Sequence, residues 1–303
     1  MSKSNKIPVA LRITQKVYPK AEKIMPKYAM SWAVRRFSMP VKYPVKEWEK
    51  EVMNKAEKKS IRYKKDRISV YEWGVYNNGK WILLVHGWAG RASQFNSIIR
   101  VLVDEGYRVV AFDGRAHGNS TGKRTNLLDF RDLIEILSLK YNGFDTIIGH
   151  SFGGVASAFA LTGAAKSKKL ITINSPAIAN EIVYAFVNTI NGSKELFRYF
   201  YRYIKVQFGR DFDDLELLKL MPQIIEKGID VHIYGDRDDQ EVPFYHTQRL
   251  VKIIGKDKAT ITSGLGHNKI LGDTEVIKKI ISEIKSNKKE TISLWSAYEH
   301  PCD

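Results

Sequence analysis

With one cysteine in 303 residues, Cys302, no internal disulfide can form, and a reducing cytoplasm is the expected setting. Long apolar runs are missing too: none approaches the ~20 residues needed to cross a bilayer. Met1 to Arg12 lacks the apolar stretch and cleavage site of a secretory signal, so none is expected. There is no His-Glu-x-x-His and no Cys/His cluster. Metal-assisted hydrolysis is therefore not expected, and no cofactor is implied. The chain also lacks internal repeats and low-complexity tracts. What remains, 44% hydrophobic and 27% charged, is the composition of a globular chain. It is long enough for one large domain or two modest ones.

Charge is plentiful but uneven. Residues 1–67 hold 19 Lys and Arg against 6 Asp and Glu, a net of +13 out of +16 for the whole chain. No DNA- or RNA-binding motif accompanies this excess, so no nucleic-acid partner is expected. A basic segment of this kind is a solvated face, a peripheral contact with an anionic membrane, or a site for a polyanion or protein partner. It reads as short amphipathic helices broken by Pro8, Pro19, Pro26, Pro40 and Pro44. Ser60–Lys65 and Ile68–Gly74 then form a plausible antiparallel hairpin.

From Trp81 onward, short runs rich in Val, Ile and Leu alternate with stretches of helical spacing. The runs are Trp81–Val85, Arg108–Phe112, Asp145–Ile148, Leu170–Ile173 and Val231–Tyr234. Such runs suit strands buried on both faces, and the alternation means an α/β, doubly wound, mostly parallel sheet. Chemistry on such sheets gathers at the carboxyl ends of the strands. About fifty residues, 178–227, separate the last two runs and carry eight aromatics between Tyr184 and Phe208. That is too long for one crossover and reads as an inserted helical cap. Ordinary crossover helices with core aromatics are the alternative. The expected organisation is a basic helical segment (1–59), an α/β core (60–177 and 228–286), a cap (178–227) and a tail (287–303).

Gly149-His150-Ser151-Phe152-Gly153 follows one predicted strand and opens a helix-compatible run. A strand-to-helix turn this tight excludes bulk on either side of the serine and lifts its hydroxyl above the sheet edge. The hydroxyl needs a base. Of seven histidines, His86 and His150 flank glycines at strand ends, and His232 lies within a strand. His246 lies on a helix, His300 in the tail and His117 on a pocket-lining loop. His267, in Ser263-Gly-Leu-Gly-His-Asn, follows the strand-like run Ala259–Thr262 on a glycine-flanked loop, and is the candidate base. The loop after Val231–Tyr234 offers four carboxylates, Asp236, Asp238, Asp239 and Glu241, and spacing alone does not choose the histidine's partner. A phosphate loop at Gly118–Arg124 is dismissed, because it is one residue short and has Arg124 where Ser or Thr is required.

Taken together, Val85-His-Gly-Trp88, Asp113–Ser120, Gly149–Gly154, Asp239–Pro243 and Gly266-His267 resemble the alpha/beta-hydrolases. The likeness is to cap-bearing bacterial members described as serine aminopeptidase or monoacylglycerol-lipase relatives, and spans roughly residues 70–285. The resemblance implies the alpha/beta-hydrolase fold and a triad of Ser151, Asp239 and His267, with Asp239 favoured over Asp238. It also implies an oxyanion hole from the amides of Trp88 and Phe152. The loop Asp113–Ser120 departs from the family pattern, with Gly and Ala where other small or charged residues are frequent, and is given no catalytic role. The implied activity is serine hydrolysis of small-molecule carboxylic esters, apolar or lipid-like ones included. Peptidase or acyltransferase chemistry, or a non-catalytic binding role, are the alternatives. It says nothing about the basic N-terminal segment.

Overall fold

The structure, a computed structural model, describes residues 8–296, with side chains up to residue 286. His300 and Cys302 lie outside the described residues. Among the described residues eight strands form one sheet: β1 (Glu57–Tyr63), β2 (Asp66–Trp73), β3 (Trp81–Val85), β4 (Arg108–Phe112), β5 (Phe144–His150), β6 (Ser167–Ile173), β7 (Asp230–Asp236) and β8 (Ala259–Thr262). Their order is β1-β2-β4-β3-β5-β6-β7-β8. β1 and β2 pair antiparallel, as do β2 and β4, and every other pairing is parallel. The hairpin turns at Lys64-Lys65, with Tyr63 opposite Asp66, two residues earlier than the gap between the expected strands.

Among the described residues twelve α-helices accompany the sheet. The first three, α1 (Val9–Ile24), α2 (Pro26–Phe37) and α3 (Glu47–Asn54), precede it. Then come α4 (Asn96–Asp104), α5 (Leu127–Lys140), α6 (Phe152–Thr162), α7 (Ala179–Thr189), α8 (Lys194–Phe208), α9 (Leu217–Glu226), α10 (Tyr245–Ile254), α11 (Gly266–Lys269) and α12 (Thr274–Ser296). α12 thus spans the boundary expected at residue 287. α5 shows why such segments are helical: Asn126 caps it by accepting from the Asp129 amide, and Phe130, Leu133, Ile134 and Leu137 form one buried stripe.

Because side chains alternate along a strand, each central strand serves two cores. Leu83, Val85, Val110, Phe112 and Ile147 face the layer of α5, α6, α9 and α10. Ile82, Leu84, Val109, Ala111 and Ile148 face α4 and α12. That two-sided burial is what the unbroken apolar runs encode.

The 178–227 interval divides. α9 packs on α6 and α10 as a crossover helix of the main core. α7 and α8 belong to a third cluster, shared with α1 and α2, in which Tyr18, Ala33 and Val34 meet Val183, Val187, Leu196 and Phe200. The helices above the strand ends therefore come from two distant parts of the chain.

Candidate active site

β3 lies between β4 and β5, so successive connections leave its neighbourhood in opposite directions and open a crevice at the strand ends. Ser151 sits there, between β5 and α6, with φ 52° and ψ −122°. A non-glycine residue rarely adopts such a backbone, and holding it costs on the order of 1–3 kcal/mol. The surroundings impose it. The Ser151 amide donates to Ile173 O at 2.8 Å, and the Gly154 amide donates to Ser151 O at 3.0 Å. A Cβ on Gly149 would stand 2.6 Å from Gly154 Cα, and one on Gly153 would stand 2.1 Å from Val85 O. The glycines around the serine are there because backbone crosses backbone.

Across the crevice, a Cβ on Gly87 would stand 3.0 Å from Ser151 Cβ, so the loop after β3 abuts the turn. Three neutral imidazoles fix these loops. His86 accepts from the Gly114 amide at Nε2 and donates from Nδ1 to Gly87 O. His117 accepts from the Ala89 amide at Nε2 and donates from Nδ1 to Arg115 O. His150 accepts from the Gln94 side chain at Nδ1 and donates from Nε2 to His267 O at 2.9 Å. Burial pushes His86 down to about 4, and His117 and His150 down to about 3. The Asp113–Ser120 loop, given no catalytic role by its sequence, thus acts as scaffold: Asp113 accepts from Ala92 N, Asn119 N and the Tyr71 hydroxyl.

Phe152 is the first residue of α6, so its amide has no partner within the helix. Among the described residues, the Trp88 amide also donates to no protein group. The Trp88 and Phe152 rings meet edge to face at 5.5 Å, and Phe37 of α2 stacks on Trp88 at 6.4 Å. The wall beside the serine is therefore aromatic.

His267 lies on α11, directly after β8. Its Nδ1 is 2.7 Å from Asp239 Oδ2, and both side chains are buried. The other Asp239 oxygen accepts from the amides of Glu241 and Val242 at 2.8 and 2.9 Å. Asp238 instead accepts from Gly264 N at 2.7 Å. Glu241 stands on the far side of the ring, 3.6 Å from His267 Nε2. Among the described residues no hydrogen bond joins Ser151 Oγ to His267; their loops are joined through the His150 to His267 O bond.

Two further residues organise this end of the sheet without any sequence motif marking them. Asp236 accepts from Thr262 Oγ1 and from the amides of Asp238, Leu265 and Gly266. Burial alone would raise its carboxyl, but these donors outweigh burial and hold it below the usual range. Asn174, at φ 47°, donates to Gly266 O at 3.1 Å and accepts from Asp236 N. The only sequence signal for either was an excess of carboxylates and amides just past the strand ends.

A separate cleft of about 570 Å³ opens between the β1–β2 turn and the start of α5, lined by Lys65, Arg115, Lys123 and Arg124 among others. It includes none of Ser151, Asp239 and His267.

Comparison with known proteins agrees with this architecture. Residues 80–218 match the family model described as alpha/beta hydrolase fold. A human serine hydrolase-like protein is 36% identical over 116 residues, covering 36% of this chain and 56% of that protein. A monoacylglycerol lipase of Mycolicibacterium smegmatis is 32% identical over 81 residues, covering 24% of this chain and 29% of that protein. The chain thus matches about half the length of the first relative and less of the second. The solved structure of an esterase from Pyrococcus furiosus superposes with a TM-score of 0.58 at 20% identity, covering 82% of this chain and 96% of that one. At that identity the likeness concerns the fold.

Proposed function

The chain belongs to the alpha/beta-hydrolase superfamily, and from that premise we propose that it is a serine hydrolase of carboxylic esters with apolar acyl or alcohol groups. Ser151 is the nucleophile, His267 the base, and Asp239 the acid that orients and balances it. The amides of Trp88 and Phe152 receive the oxyanion. The observation that carries the reading is the left-handed backbone of Ser151 at the β5–α6 turn. Strain of that kind at a strand end is kept where a hydroxyl must be presented.

In this mechanism Asp239 accepts from Nδ1–H of His267, leaving Nε2 as the free base. Substrate binding brings Nε2 within reach of the serine hydroxyl, a contact that tightens only in the complex. Ser151 Oγ attacks the ester carbonyl as its proton passes to Nε2, and the carbonyl oxygen takes the negative charge between the two amides. The C–O bond to the alcohol then breaks, with His267 returning the proton to the leaving oxygen. Water, deprotonated by Nε2, attacks the acyl-serine carbonyl and releases the acid and the free serine. The aromatic wall of Trp88, Phe152 and Phe37 favours an apolar substrate portion.

Fluorophosphonate labelling and a chain-length series of p-nitrophenyl esters test this. Labelling and turnover are expected in the wild type, with nearly all of both lost in Ser151→Ala. Labelling of Ser151→Ala at the wild-type rate ends the proposal. Product formation that depends on an added amine or alcohol redirects it to acyl transfer.

A further inference from the structure

Glu22 is the only acidic residue among the first 46, and it points inward. It is 8% exposed, and its carboxylate accepts from both the amide and the hydroxyl of Ser193, at the start of α8. The outer face of α1 therefore carries no negative charge. Arg12, Lys16, Lys20 and Lys23 are exposed on it, interleaved with Val9, Ile13, Val17 and Ile24, whose exposures run from 56% to 77%. At 3.6 residues per turn these eight side chains share one sector of roughly 140°. On α2, Tyr28 is 78% and Trp32 43% exposed, one turn apart, beside exposed Lys27, Arg35 and Arg36.

We propose that α1 and α2 form a docking face for the surface of a bilayer rich in anionic lipid. The two chemistries on the strip suit the two layers of that surface. Aliphatic and aromatic side chains enter the acyl boundary, and the basic side chains snorkel to the headgroups. A polyanion alone would leave the apolar positions unused. A second copy of this chain would set like charges face to face. Among the described residues no helix is long and apolar enough to cross a membrane, so the contact is with the surface. The same element borders the active site. Phe37, the last residue of α2, packs on Trp88, Phe186 and Phe200. Docking therefore holds the aromatic wall beside Ser151 close to the lipid surface.

The test is co-sedimentation of the full-length chain with vesicles of phosphatidylcholine alone or with about 30 mol% phosphatidylglycerol. Partitioning is expected to be roughly tenfold or more stronger on the anionic vesicles and to weaken as salt rises from ~0.1 to ~0.5 M. Combined Lys16→Glu, Lys20→Glu and Lys23→Glu should lower it by about an order of magnitude or more, and combined Ile13→Asp and Ile24→Asp should lower it similarly. All five positions are solvent-exposed, and unchanged circular dichroism confirms folding. Equal partitioning on both vesicle types, no partitioning, or full binding by both folded variants overturns the proposal. So does a concentration-dependent dimer that both variants abolish while vesicles stay unbound, since the face would then serve a second copy. The assay reads binding and is blind to whether Ser151 acts.

Discussion

Asp236, Asp238, Asp239 and Glu241 share one loop and one charge, yet each has different donors, and those donors separate their work. Asp236 is consumed by a hydroxyl and three amides that shape the strand ends. Asp238 ties down Gly264. Asp239 holds two amides with one oxygen and turns the other to the imidazole. Replacing Asp239 by Asn keeps the shape but removes the charge that balances an imidazolium. Turnover of a p-nitrophenyl ester should then fall by on the order of 10³–10⁴. Asp238→Asn should stay within about tenfold of wild type, because its carboxylate serves a loop amide rather than the ring. The reverse ranking in steady-state kinetics would move the acid to residue 238.

The β3, β5 and α6 elements meet so closely that side-chain volume at their crossing decides whether the turn exists. A methyl on Gly153 would lie 2.1 Å from Val85 O and 2.7 Å from His86 O, both of them backbone atoms. Relief requires moving the carboxyl end of β3, which carries the Gly87-Trp88 loop. Gly153→Ala should therefore lower unfolding free energy by about 2 kcal/mol or more and reduce turnover as well. Urea denaturation beside the ester assay reads both, and a variant with unchanged midpoint and rate contradicts the packing argument. Legibility in the sequence followed the same physics. The runs Trp81–Val85 and Arg108–Phe112 read as strands to the residue because both their faces are buried. The Gly-x-Ser-x-Gly turn was readable because only glycine fits where backbones cross. The partnership of α1 and α2 with α7 and α8 left no such mark, since contacts between segments some 150 residues apart follow no local period. Asn174 was likewise silent: an amide that bonds a distant carbonyl looks like any other polar residue near a strand end.

At the scale of the whole molecule, the number of imidazoles buried in neutral form sets an acid limit on the fold. His86, His117 and His150 bind their protons only near pH 3 to 4 when folded, because burial disfavours their charged forms. Burial lowers His246 as well. In the unfolded chain these groups titrate near ~6.5. As pH falls below that value, the unfolded state takes up protons that the folded state refuses, and stability drops. Each such group contributes up to about 1.4 kcal/mol per pH unit, so His86, His117 and His150 together give a slope of up to ~4 kcal/mol per unit between about pH 6 and 4. His232 works with the opposite sign. Burial lowers its proton affinity, but Asp230 and Glu283 outweigh burial and raise it overall. Its contribution is complete below ~6.5 and is lost as pH climbs through the raised folded value, so it offers no relief in acid. Burial raises the Glu216 carboxyl, which offsets a share of the acid slope. Denaturant midpoints measured from pH 8 to 4 should therefore decline steeply below about pH 6.5. His117→Gln, which keeps a polar group in place of the ring, should give a shallower decline. A midpoint that holds level from pH 7 to 4.5 would mean that these imidazoles take up protons in place, and that the loops they brace tolerate the charge.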